Sequence, residues 1–153
     1  MLETFITHIP STLLHGLLAM LIMTSYFRGN NSRQYPSLFL MISVLAVFSL
    51  DVPKLFGIVS LHSLLIAPFI ALALALFFKN QLPYNLFFNW VGMCLVLMIG
   101  GILVDVWGNG AHILYPIVRS NISFPILEGT ALALSIGVVS LALLVQLRRH
   151  DSK

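Results

Sequence analysis

Apolar residues run through this chain in blocks rather than in stripes. Five stretches, 9–27, 35–50, 58–78, 87–106 and 124–147, hold almost no charge, the exceptions being Asp105 near the end of the fourth and Glu128 near the start of the fifth. A helix that crosses a bilayer needs about 20 predominantly apolar residues, with a range of about 17–25. Four of the stretches meet that length, and 35–50 is short unless it runs on towards Asp51. The connections carry turn formers: "RGNNSRQYP", "DVPKLFG", "KNQLPYN" and "WGNGAHILYPIVRSNISFP". The pattern predicts an all-α, polytopic membrane bundle with about five transmembrane helices. Residues 1–153 make a single integral membrane domain.

Composition sharpens this reading. The chain is 59% hydrophobic and 8% charged, with a mean hydropathy of +0.99, where a soluble domain carries about 25% charged residues. One cysteine, Cys94, excludes an internal disulfide and a CxxC metal site, and it reads as helix packing. No basic run or Arg–aromatic interleaving points to nucleic acid. The first 27 residues hold no Lys or Arg, so they lack the basic region of a signal peptide and read as a retained helix.

Charge sets the expected orientation. Five crossings put Arg28, Arg33, Lys79, Arg148, Arg149 and Lys153 on one side, and Lys54 and Arg119 on the other. The positive-inside rule then places the N-terminus out and the C-terminus in. The expected location is the cell (inner or cytoplasmic) membrane, multi-pass. The partners are the lipid bilayer and, in one reading, other membrane subunits.

On that topology the unusual polar residues share the outer end: His8, His15, Asp51, His62, Asp105, His112 and Glu128. Ionisable residues in a span cost about 2.5–3.5 kcal/mol at its centre on insertion scales. Each alone suits a cap or a snorkelling side chain, whereas their clustering predicts an outward-facing polar pocket. Imidazole and carboxylate are the donors that zinc or manganese takes. His15, Asp51, His62 and Asp105 are the candidate metal ligands, with His112 and Glu128 as candidate catalytic bases. His8 is set aside because seven residues put it about 10.5 Å along the helix from His15. His62 is placed in the first turns of a third helix, and Glu128 one turn into the fifth. Gly100-Gly101 reads as a close helix approach, and Gly101, four residues before Asp105, lies on the same helix face. Phe77, Phe78, Phe87, Phe88, Trp90 and Trp107 read as an interfacial aromatic belt.

The order of "LLHG", "SLDVPKLFG", "LHSLL" and "GILVDVWGNGAHILYP" over 13–116 resembles the YdjM-like family of small inner-membrane metal-dependent hydrolases. The resemblance implies a helical bundle, a divalent metal (zinc or manganese), and hydrolysis of an ester or phosphoester. Here Gly101 stands where the family's HxxxD pattern has its histidine, and Asp51 is the only acid in its turn. A non-catalytic accessory subunit of a larger membrane complex, built on the same fold, is the alternative. Haem ligation by His15 and His62 has no attachment motif behind it.

Overall fold

The computed structural model describes residues 2–27, 36–55, 58, 61–108 and 110–151; the side chains of 2–8, 36, 54, 55 and 149–151 are outside that description. His8, His150 and most of the basic residues that bear on orientation therefore lie outside the described side chains. All regular structure among the described residues is helical. In chain order it comprises α1 (Leu2–Tyr26), α2 (Pro36–Leu55), α3 (Ala67–Phe77), α4 (Leu86–Leu97), a π-helical segment (Met98–Leu103), α5 (Val104–Trp107) and α6 (Gly129–Asp151). Three of the helices are long and apolar enough to cross a membrane: Ile9–Tyr26, the continuous α4–π–α5 rod Leu86–Trp107, and Gly129–Arg148.

The second apolar stretch does run on. α2 continues through Pro53 to Leu55, which puts Asp51 inside its last turns. The third departs from the expected helix over 58–78. Helix starts only at Ala67, with Pro68 in the first turn, where its missing N–H is tolerated. The residues before it instead bond to a distant loop: Leu64 N–H donates to Ile113 O at 3.0 Å. With 11 residues α3 is about 16 Å long, half the thickness of a bilayer core of about 30 Å. Ala67, Ala71 and Ala75 recur one turn apart and are fully buried, whereas Leu72, Ala73 and Leu76 are exposed.

Small residues set the helix spacing. A methyl group at Gly100 would lie 3.1 Å from the backbone nitrogen of Ala19, so the π segment and α1 are in backbone contact there. At the opposite end, Gly92 makes room for the rings of Tyr26 and Phe27. α4 is capped by the Asn85 side chain, which accepts from Phe88 N–H at 3.1 Å. α6 packs along α1 and runs parallel to it: Gly129 and Ser11 line one cavity, and Gln146 Nε2 donates to Thr24 Oγ1 at 3.2 Å near the other end. Only 6% of the apolar window of α6 is buried, against 50% for Leu86–Trp107, so the rod is central and α6 peripheral.

Two members of the expected aromatic belt belong elsewhere. Phe78 is buried in the core, and the Trp90 indole N–H donates to Pro68 O at 2.8 Å, tying α4 to the start of α3. Phe77, Phe87, Phe88 and Trp107 are exposed. Cys94 packs against the core, as expected of a structural thiol.

Candidate metal centre

Four separate segments deliver four ionisable side chains to one place. His15 comes from the middle of α1, Asp51 from the end of α2, His62 from the loop before α3, and Asp105 from α5. Their contacts close a ring. His62 Nε2 lies 3.1 Å from Asp51 Oδ1 and 2.9 Å from Asp105 Oδ2. His15 Nδ1 is 3.4 Å from Asp51 Oδ2, and its Nε2 is 3.5 Å from Asp105 Oδ1. The side chains of His15, His62 and Asp105 are 3% exposed or less, and only Asp51, at 19%, reaches the surface.

Backbone chemistry holds the ring in position. Ser63, fully buried beside His62, donates to Tyr115 O at 2.6 Å with Ile113 O at 3.1 Å, and accepts from Leu65 N–H at 3.1 Å. The loop that follows Asp105 closes back onto α5. Gly110 N–H donates to Asp105 O, Phe124 N–H to Val106 O, and Ile126 and Leu127 N–H to Trp107 O, all at 2.6–2.9 Å. A helix leaves its last four carbonyls without intrahelical partners, and an apolar surrounding makes each such group costly. The residues 108–127 supply the missing amides, so this long connection is part of the site's frame. Gly110 has φ +88°, and a methyl group there would collide with the Asn121 side chain.

The other sequence candidates lie outside the ring. His112 Nδ1 is 3.0 Å from Arg119 O, within the loop that follows α5. Glu128 is exposed and precedes α6 rather than lying one turn inside it. It lines a cavity of about 190 Å³ with Ser11, Val104, Gly108, Leu127, Gly129 and Leu132. Gly101 does not look towards Asp105, because the π-helical segment changes the register between them. A methyl group at 101 would instead meet Leu50 Cδ1 at 2.8 Å. Sequence reasoning missed Gly110 and Leu50, although the "GNG" turn signals the first.

The donor set fits a divalent cation. Asp51, His62 and Asp105 each offer an atom within 4.8 Å of the other two. Ligands at about 2.0–2.2 Å in a tetrahedron stand about 3.3–3.6 Å apart, close to the spacings in this ring. A hydrogen-bonded ring accounts for the contacts less well. The single Nε2 proton of a neutral His62 faces two carboxylates, and neither buried nitrogen of His15 reaches its carboxylate neighbour with hydrogen-bond geometry. No protein-family model, curated protein or solved structure matches this chain, so the meaning of the site rests on its geometry.

Proposed function

We propose that this chain is a multi-pass membrane protein that crosses the bilayer five times, N-terminus out, and hydrolyses an ester or phosphoester at the outer leaflet with a divalent metal (zinc or manganese). In this reading residues 61–66 extend the crossing that α3 is too short to make alone. The single observation that carries it is the buried ring of two carboxylates and two imidazoles in an otherwise apolar bundle. Each carboxylate lies against both imidazoles. Two buried negative charges need two imidazolium protons or one divalent cation, and a catalytic site built on metal uses the second.

Asp51, His62 and Asp105 supply three ligands, the number that leaves a position open for water or substrate. A divalent ion there would supply Lewis acidity and lower the pKa of bound water to about 7. His15 turns one nitrogen to each carboxylate and so orients both, the part that outer partners play around metal ligands. His112 and Glu128 are the proton acceptors at the same end of the bundle. Glu128 lines its cavity with Val104 and Ser11, the first next to Asp105 in sequence and the second one helical turn from His15. The ordered likeness of the four motifs to YdjM-like hydrolases supports the same reading.

The test is metal analysis of protein purified without chelator, beside His62→Ala, with hydrolysis of a soluble phosphodiester as the second readout. About one zinc or manganese per chain, lost in the variant, supports the reading, and a metal-free active protein ends it. A specific observation favours the alternative of an accessory subunit. α6 packs mainly along α1 and leaves Leu134, Val138, Leu141 and Leu144 turned outward. Co-purification of a fixed larger assembly with a metal-free chain would support that second reading.

A further inference from the structure

Of the four ring residues, Asp51 alone has an exposed edge, and the question is what that edge faces. At 100° per residue, the buried positions of α2 (Ile42, Ser43, Ala46, Val47, Leu50) fall on one side of the helix. Met41, Leu45, Phe48 and Val52 fall on the opposite side, each 43–51% exposed. Asp51 stands on the flank between the two, one turn from Phe48. The open edge of the site therefore adjoins an apolar strip of α2 from Met41 to Val52. The loop fastened to Ser63 presents Ile117, Phe124 and Ile126, which are 79%, 55% and 62% exposed, beside the exposed polar residues Arg119, Ser120, Asn121 and Ser123.

We infer that the site takes an amphiphile from the lipid phase, its anionic head entering past Asp51 and its acyl tail lying along Phe48, Leu45 and Met41. This rests on the metal-centre reading above and names the substrate class for it. On its α2 side the exposed edge of Asp51 meets the apolar side chains of Phe48 and Leu45, which suit an acyl tail rather than a strictly water-borne substrate. Phe48 and Leu45 are then specificity-determining residues that touch the tail and leave the metal alone.

The experiment uses full-length protein loaded with Mn²⁺ in nanodiscs, probed with two non-hydrolysable ligands, hexadecylphosphonate and methylphosphonate. Binding is read from the Mn²⁺ EPR spectrum, which reports only ligand arriving at the centre. The expected result is tighter binding of hexadecylphosphonate, reduced about tenfold in a Phe48→Ser/Leu45→Ser variant that retains its Mn²⁺. A Leu134→Ser/Val138→Ser control on α6, altering an equally exposed apolar strip, should leave binding unchanged. Equal binding of the two ligands, or equal losses in the test and control variants, overturns the inference while the metal centre stands. Failure of the wild-type protein to hold Mn²⁺ or zinc removes both.

Discussion

At the residue scale the account turns on three ligands and one orienting histidine. Asp51→Ala, His62→Ala and Asp105→Ala each leave two ligands, and each should lower metal content below detection by elemental analysis. His15 shares a nitrogen with each carboxylate instead of meeting the convergence point. His15→Ala should therefore keep the metal with affinity about 10–100-fold weaker, the usual cost of losing an outer partner. Ser63 offers a check on the frame. Ser63→Ala removes the donor to Tyr115 O, while Ile113 O keeps Leu64 N–H, and should cost about 1–3 kcal/mol, seen as a lower melting temperature with the metal still bound. The residue types at the ring were legible in the sequence because buried Asp and His are expensive in an apolar run. What tied them together was not legible. The amides of 108–127 that satisfy α5 carry no side-chain signature beyond the glycines of "GNG".

At the scale of elements, the π-helical segment and the approach of Gly100 to α1 decide where Asp105 stands. Ala19, which a methyl at Gly100 would crowd, lies one turn along α1 from His15. Gly100→Leu should push α1 from the rod and open the His15–Asp105 contact, lowering metal affinity about tenfold or more and destabilising the fold by about 1–3 kcal/mol, typical of overpacking. Gly101→His should weaken metal binding too. The new ring would displace Leu50, the neighbour of Asp51. An increase in affinity would show that position 101 faces the ligands after all. The number and order of apolar stretches could be read from hydropathy alone. The boundary of α3 could not, because residues 61–66 are as apolar as a helix, yet Leu64 N–H and the Ser63 hydroxyl go to the carbonyls of Ile113 and Tyr115. Pro68 was the one local sign that helix begins late, since proline is at home in a first turn.

At the scale of the molecule, the arrangement puts the candidate metal centre towards one end of a bundle whose outward residues are largely apolar. If that end faces outward, a cysteine introduced at Ser123 in the outer loop should react with a membrane-impermeant maleimide added to intact cells, and one introduced at Gln81 between α3 and α4 should not. The reverse pattern would invert the topology. The measurement that bears most directly on the account is the metal content of the purified wild-type protein set beside His62→Ala and Asp105→Ala, each shown to be folded by circular dichroism. The account predicts about one zinc or manganese per wild-type chain and none in either variant. A folded wild-type protein that holds no divalent metal, even after exposure to zinc and manganese, would contradict it.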